Sequence, residues 1–181
     1  MTKPFLQYWD SMLFIHRIQR TPEHLVVLDQ LAEDAQNGKL NIVVSTFTLA
    51  EVIKDPDGQQ LSETEDQKII EFFENPYIII RPLTYPISLL ARKISREFGT
   101  KPKDAVHLAT AVYWNIPQFF TFEKGLINKD GKLGDPQKPL RISEPKWVGQ
   151  QSLIEKESNN DDGKETGAVA EAEAGAEAGE V

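Results

Sequence analysis

Residues 41–52 read NIVVSTFTLAEV and carry a buried strand that runs directly into a helix. Three β-branched residues follow one another in the first part of this stretch, which is typical of a strand covered on both faces. Ser45 or Thr46 then offers a side-chain oxygen that can cap a helix continuing through Leu49, Ala50, Val52 and Ile53. A strand that passes straight into a helix predicts an α/β protein.

The same alternation recurs along the chain. Apolar runs predict further strands, and the full set covers residues 5–9, 41–44, 77–81, 119–121 and 140–142. Helical spacing of apolar residues fills the intervals between them. The predicted helix boundaries are marked by Pro22, by a capping box of Ser62 and Glu65, and by stops at Gly38, Gly99 and Asn115. Strands that alternate with helices predict a parallel sheet with a layer of helices on each face.

Two local turns are also predicted. Residues 55–58 read DPDG, a typical turn sequence. Asn75-Pro76 ends the helix that begins at the Ser62 capping box. Asp104 is predicted to open the helix that ends at Trp114.

The composition predicts one folded domain and a separate tail. The chain has 181 residues, enough for a single core, and no cysteine, which excludes disulfides and thiolate zinc sites. Of its 28 acidic and 20 basic residues, nine and two lie in residues 151–181, which leaves 19 and 18 in residues 1–150. Residues 1–150 are therefore almost neutral, and the net charge of −8 does not argue against a polyanionic substrate.

Residues 151–181 are predicted to be a disordered acidic tail rich in Ala, Glu and Gly. Residues 155–181 contain no aromatic side chain, so they cannot bury enough surface to offset the entropy of ordering. The first residues, MTKPFLQYWD, lack the apolar segment of a secretory signal, and no apolar run reaches the length of a membrane span. We therefore expect a cytoplasmic protein with no membrane partner.

Acidic side chains stand where a parallel α/β sheet binds ligands. Such sheets bind ligands beyond the carboxyl ends of their strands. Asp10 directly follows the first predicted strand, Glu123 closely follows the fourth, and Glu51 lies in the helix after the second. Asp104 stands at a helix start, so its side chain can point out of the helix N-terminus. The fold would bring these four carboxylates to one edge of the sheet.

A cluster of carboxylates indicates a metal centre. Two carboxylates about 4 Å apart repel by roughly 4 kcal/mol at an effective dielectric constant near 20. A divalent cation relieves this repulsion, and oxygen ligands suit Mg²⁺ or Mn²⁺. Two such ions can prepare a water for attack and stabilise the leaving oxygen of a phosphodiester. The pattern therefore indicates a nuclease that needs neither histidine nor cysteine chemistry.

Each acid taken alone also has a structural interpretation. An aspartate at a helix start, such as Asp104, is more often a cap than a ligand. Asp10 could form a turn, and Glu123 could be a solvated loop residue. Glu51 is harder to explain structurally, because an acid within an apolar helix is rarely placed there without a partner.

Four stretches resemble, in order, the four motifs of PIN-domain ribonucleases: YWDSMLFI (8–15), STFTLAEV (45–52), KPKDAVHLATAV (101–112) and FFTFEKGL (119–126). The resemblance covers residues 5–145. Within the family, the chain most resembles the VapC-type toxins of toxin–antitoxin pairs. It gives Asp10, Glu51, Asp104 and Glu123 the metal-binding positions. Asp10 and Asp104 would hold the main ion, while Glu51 and Glu123 would complete its shell or orient the attacking water.

The resemblance implies a three-layer α/β/α fold with a central parallel sheet of about five strands. It further implies Mg²⁺ or Mn²⁺ as cofactor, RNA as substrate, and endoribonuclease activity that hydrolyses phosphodiester bonds. An antitoxin protein would be the partner of such a toxin, and the resemblance also favours a homodimer.

Two positions depart from the family pattern. Met12 stands where the family usually has a polar residue, and Glu123 stands where it usually has aspartate. Both features favour an alternative, a catalytically weak or inactive module that binds RNA or a protein. A third interpretation, an aspartyl phosphatase, requires a second aspartate two residues after the first, and Met12 occupies that position.

Basic residues accompany the predicted site. Arg92 and Arg96 are four residues apart on one helix, and Lys101 and Lys103 lead into Asp104. They could contact RNA phosphates, or they could simply form a solvated helix face. We expect His107 to make a structural hydrogen bond, and Trp9, Trp114 and Phe120 to lie in the core or at a dimer surface.

Overall fold

The computed structural model describes residues 4–53 and 59–146 of the chain. In chain order the elements are β1 (Phe5–Trp9), α1 (Ser11–Ile18), α2 (Pro22–Gln36), β2 (Leu40–Ser45), α3 (Thr46–Glu51), α4 (Glu63–Phe73), β3 (Ile78–Arg81), α5 (Tyr85–Phe98), α6 (Pro102–Tyr113), β4 (Gln118–Phe120), α7 (Lys124–Ile127), β5 (Gly134–Asp135), β6 (Lys138–Pro139) and β7 (Arg141–Ser143). The turn predicted at residues 55–58 and the tail predicted at residues 151–181 lie outside the described residues.

Five parallel strands form the central sheet in the order β3-β2-β1-β4-β7. The predicted fold class is therefore confirmed, and each predicted strand corresponds to one strand of this sheet. A short antiparallel pair of β5 and β6 was not predicted. Each of its strands has only two residues, too few for a recognisable alternation of apolar and polar side chains.

The strand order changes direction beside β1. The chain places β2 and then β3 on one side of β1, and β4 and then β7 on the other. Tyr8 is paired with Val43 on one side and Phe119 on the other. The connections on the two sides of this point diverge, which leaves a crevice at the carboxyl ends of β1, β2 and β4.

Most helix ends follow the caps predicted from the sequence. The Ser45 side chain accepts a hydrogen bond from the N–H of Phe47, and Ser62 forms the complete capping box with Glu65. Gly99 and Asn115, which follow α5 and α6, adopt positive φ angles of 60° and 51°. These left-handed conformations end both helices, as glycine and asparagine commonly do.

Two helix boundaries differ from the prediction. The helix after β2 does not continue through Val52 and Ile53 but ends at Glu51, so Glu51 occupies a terminus and not the middle of an apolar helix. The helix predicted to open at Asp104 begins at Pro102, which takes the first helical position that suits proline. Asp104 is consequently the third residue of α6 and is not its cap.

Each face of the sheet has its own hydrophobic core. Tyr8, Val43 and Phe119 pack on one face against α5 and α6, which contribute residues such as Ile87, Ile94 and Leu108. Trp9, Ile42 and Val44 face the other core, where α1, α2 and α4 contribute residues such as Phe14, Leu28 and Phe73. The alternation of side chains along β1 and β2 produces these two cores. The arrangement is the three-layer α/β/α fold.

Trp9, Trp114 and Phe120 were expected in the core or at a dimer surface, and they lie in two different environments. Trp9 and Phe120 are buried in the core beside α1 and α2. Trp114 is only partly buried, and the guanidinium of Arg81 lies 4.1 Å from the centre of its ring. Within residues 4–53 and 59–146, no helix combines the length and the apolar character needed to cross a membrane.

Candidate active site

A cleft of about 290 Å³ opens at the carboxyl ends of β1 and β2, beside the first turn of α6. Its lining combines polar and charged side chains with apolar ones: Asp10, Ser11, Met12, Ile15, Ala50, Glu51, Ile53, Lys103, Asp104, His107 and Leu126. Three of the four predicted site residues, Asp10, Glu51 and Asp104, therefore meet at one cleft. Glu123 is not among the residues that line it.

Asp10 caps α1 and is almost fully buried. Its Oδ1 accepts hydrogen bonds from the N–H groups of Met12 and Leu13 at 3.0 and 3.4 Å. Burial raises the pKa of Asp10 to about 6, even though a hydrogen bond from Thr121 and the charge of His107 oppose the rise. Asp10 can therefore combine the structural role and the ligand role that the sequence left as alternatives. Its Oδ1 caps the helix, and neither of these two N–H groups contacts its Oδ2.

Glu51 is held by two neighbours. His107 Nε2 lies 2.5 Å from Glu51 Oε2, and the Ser11 hydroxyl donates to the same oxygen. On its other side, Lys103 Nζ lies 3.9 Å from Oε1. Burial acts to raise the pKa of Glu51, but the hydrogen bond and charge of His107, with Ser11 and Lys103, outweigh it and lower the pKa. Glu51 is therefore ionised when it faces the cleft.

His107 connects Glu51 to the sheet. Its Nδ1 lies 2.8 Å from the hydroxyl of Tyr8, which also accepts a hydrogen bond from the N–H of Ser45 at 3.1 Å. The hydrogen-bonding role expected for His107 is confirmed. The partners Tyr8 and Ser11 were not identified from the sequence. The signal was present in part, because Tyr8 and Asp10 are two residues apart and therefore share one side of an extended chain.

Asp104 projects from the first turn of α6 and is half-buried. Burial raises the pKa of this carboxyl, the charges of Lys103 and Lys101 lower it, and the charge of Glu123 raises it again. The net direction is upward. Two carboxylates of the cleft, those of Asp10 and Asp104, thus carry negative charge that their surroundings do not fully stabilise.

Glu123 occupies a different place from the other three acids. It precedes α7, is exposed, and its N–H donates to the Thr121 hydroxyl at 3.0 Å. It acts on the cleft through its charge, which reaches Asp104. The structure therefore brings Asp10, Glu51 and Asp104 to the cleft and leaves Glu123 outside its lining. Met12 does line the cleft and is 38% exposed.

The donor set of the cleft suits a hard divalent cation. Asp10, Glu51 and Asp104 supply carboxylate oxygens, and a cation would stabilise the ionised carboxylates of Asp10 and Asp104, which burial disfavours. Across the described residues, no three side chains of His, Cys, Asp or Glu stand close enough to share one ion. The chemistry of the site fits a metal, and the three carboxylates would have to draw together to bind it.

Comparisons with known proteins identify the family of the chain. The family profile of the PIN domain matches residues 8–132, which include Asp10, Glu51, Asp104 and Glu123. No curated protein matches the chain.

Two toxin–antitoxin complexes are among the solved structures that share the fold of the chain. The VapBC2 complex from Rickettsia felis, bound to a DNA fragment from its promoter, is similar with a TM-score of 0.54 and 14% identity. A toxin–antitoxin complex from Klebsiella pneumoniae is similar with a TM-score of 0.52 and 17% identity. Each similarity covers 77% of this chain and 98% of the other. The profile match extends over more than half of the sequence, so this chain belongs to the PIN domain family.

Proposed function

We propose that this protein is a metal-dependent endoribonuclease that hydrolyses RNA phosphodiester bonds and serves as the toxin of a toxin–antitoxin pair. One observation carries the proposal. The carboxylates of Asp10, Glu51 and Asp104, far apart in sequence, line a single cleft at the point where the strand order changes direction. Members of the PIN domain family are typically nucleases, which supports the same conclusion.

The protein side chains have distinct roles in this proposal. Asp10 and Asp104 hold a Mg²⁺ or Mn²⁺ ion, which when bound supplies positive charge to the scissile phosphate and lowers the pKa of water. Glu51, kept ionised by His107 and Lys103, completes the ligand shell or orients the attacking water. Glu123 adds negative charge from outside the cleft lining. Lys103 lies beside Glu51 and can attract the RNA phosphate.

The fold comparisons support one partner. The similar complexes from Rickettsia felis and Klebsiella pneumoniae are toxin–antitoxin assemblies, one of them bound to promoter DNA. We propose that an antitoxin protein binds and restrains this chain, that two copies form a homodimer, and that the protein acts on RNA in the cytoplasm.

Cleavage of a mixed RNA substrate tests the catalytic proposal. The full-length protein should cut RNA in Mn²⁺ or Mg²⁺ and should stop when a chelator removes the ion. Asp104→Asn should lower the cleavage rate by about a hundredfold or more, because it removes a carboxylate from the site. The measurement is the appearance of shorter products on a denaturing gel over time.

Asp66→Asn is a matched control for this experiment. Asp66 also stands in the first turn of a helix, α4, but it is exposed and does not line the cleft. Both substitutions remove one charge from a helix N-terminus, so their effects on helix stability should be similar. Equal cleavage by the wild type and Asp104→Asn would disprove the assigned site.

A second candidate function is an RNA-binding module that does not cut. Met12 in the cleft lining and the position of Glu123 outside it favour this alternative. It predicts RNA binding that is indifferent both to Mn²⁺ and to Asp104→Asn, with no products at any time.

A further inference from the structure

A second groove lies between α5 and α6, on the outer side of the helical layer. It has a volume of about 630 Å³ and is lined by apolar, hydroxyl and basic side chains: Ser88, Leu89, Ala91, Arg92, Ser95, Arg96, Pro102 and Val106. A smaller hollow beside it shares Leu89, Arg92 and Arg96. The two arginines thus border both depressions on this surface.

The first turn of α6 contributes residues to both the groove and the cleft. Pro102 lines the groove, while the next two residues, Lys103 and Asp104, line the cleft. Lys101, which precedes this turn, is exposed, and its charge acts on Asp104. The groove and the cleft therefore border the same helical turn, which rises about 5.4 Å along the axis.

The charges of the groove are available to a ligand. Arg92 and Arg96 are both exposed, and neither forms an ion pair within the described residues. The nearby acid Glu97 is instead paired with Lys93 at 3.8 Å. The face of α5 that borders the groove therefore presents two guanidinium groups that form no ion pair with any carboxylate of residues 4–53 and 59–146.

The spacing and chemistry of this face suit a phosphate backbone. Arg92 and Arg96 are four residues apart, so they stand about 6 Å apart along the helix axis. Guanidinium groups bind phosphate through paired N–H donors, and the apolar floor of Leu89 and Val106 can contact sugars or bases. Contacts to the phosphates hold a flexible strand without reading its sequence.

We propose that the α5–α6 groove binds the single-stranded RNA that flanks the scissile bond, with Arg92 and Arg96 each contacting a phosphate. This inference rests on the proposed function, because it takes the cleft to be the place of cleavage. Lys101 and Lys103 continue the basic path from the groove to Asp104. The substrate is accordingly an unpaired strand several nucleotides long.

The test measures RNA binding separately from cleavage. A fluorescent 12-nucleotide RNA is titrated with the full-length Asp104→Asn protein in chelator, and the fluorescence anisotropy is followed from 50 to 200 mM salt. Arg92→Gln with Arg96→Gln is compared with Lys68→Gln with Lys138→Gln. The control pair removes the same two charges from exposed positions that do not line the groove or the cleft.

We expect the arginine pair to weaken binding by about tenfold or more at 100 mM salt and to reduce the slope of log K against log salt by about 1.4. The control pair should leave the slope nearly unchanged. Equal slopes and affinities in the arginine pair and its parent would overturn the inference. Sedimentation of the same proteins measures self-association. If the arginine pair loses self-association but binds RNA as well as its parent, the inference is wrong and the groove contacts a second copy of the chain.

The result is independent of the outcome for catalysis. If the wild-type protein does not cut RNA but the arginine pair lowers binding, the proposed function fails and the groove keeps only its assignment as an RNA-binding surface. If the wild type cuts RNA and the arginine pair binds RNA as well as its Asp104→Asn parent, the groove assignment fails and the proposed function stands.

Discussion

Asp10 combines a structural role and a candidate chemical role in one carboxylate. Its Oδ1 caps α1, and its burial raises its pKa to about 6. An aspartate in an unfolded chain has a pKa near 3.9. Between these two values the folded protein binds more protons than the unfolded chain does, so the free energy of unfolding falls as the pH rises. Above pH 6 the full cost of the buried charge is present.

This cost predicts that Asp10→Asn stabilises the protein near neutral pH. Asparagine can still cap α1 but carries no charge to bury. At pH 7.5 in chelator, the variant should exceed the wild type by about 1–3 kcal/mol in free energy of unfolding, and the difference should shrink toward zero near pH 4. Urea unfolding at both pH values measures it. A variant less stable than the wild type at pH 7.5 would show that the carboxylate is not desolvated.

At the scale of single residues, the sequence predicted the three acids of the cleft and pointed to Lys103 and His107 beside them, but it did not identify Ser11 and Tyr8. Asp10 was predictable because it directly follows a strand, and Asp104 because it stands at a helix start. Ser11 and Tyr8 were missed because their importance arises from contacts with His107 and Glu51, 40 to 99 residues away. Such contacts depend on the register of the sheet, which no local pattern specifies.

At the scale of elements, the Tyr8 hydroxyl connects β1, β2 and α6. It sits on β1, accepts a hydrogen bond from the N–H of Ser45 at the end of β2, and lies 2.8 Å from His107 on α6. All three residues are buried. Burial raises the pKa of Tyr8 well above its ordinary value, so the hydroxyl remains protonated. The three elements that carry the cleft are thus connected through one oxygen atom.

Removing this oxygen should weaken the whole assembly. Tyr8→Phe leaves the N–H of Ser45 and Nδ1 of His107 without their buried partner, which should lower the free energy of unfolding by about 1–3 kcal/mol. Tyr77→Phe is the matched control, since the Tyr77 hydroxyl accepts only a long 3.4 Å bond from Gln36. Urea unfolding of both variants makes the comparison. Equal losses in free energy of unfolding would show that the Tyr8 hydroxyl stabilises the fold no more than the Tyr77 hydroxyl does.

The predictability of the elements followed the range of the interactions that form them. The Ser62 capping box and the left-handed stops at Gly99 and Asn115 depend on neighbours in sequence, and they were predicted. The end of α3 at Glu51 was not predicted, because the apolar spacing continues into Val52 and Ile53 while Glu51 is bonded to α1 and α6. Tertiary contacts overrode the local pattern at that point.

At the scale of the whole molecule, ion binding should be visible as stability. If Asp10, Glu51 and Asp104 bind a divalent cation, the folded state gains about 2.7 kcal/mol at an ion concentration one hundred times the Kd. Thermal unfolding with increasing Mn²⁺ should therefore show a rise of several degrees in Tm that, above the Kd, continues to grow with the logarithm of the ion concentration. Asp104→Asn should lose most of this rise, and Asp66→Asn should retain it. An equal rise in both variants would place the ion elsewhere.

The position of β1 at the centre of the sheet has a consequence for biosynthesis. β1 is the first strand to leave the ribosome, but its neighbour β4 spans Gln118–Phe120 and the edge strand β7 ends at Ser143. A nascent chain of about one hundred residues contains Asp10 and Glu51 without Asp104. Such a chain lacks β4, the neighbour of β1 on one side, and it lacks the carboxylate of Asp104. The candidate cleft and the sheet that positions it can therefore form only after α6 and β4 have been synthesised.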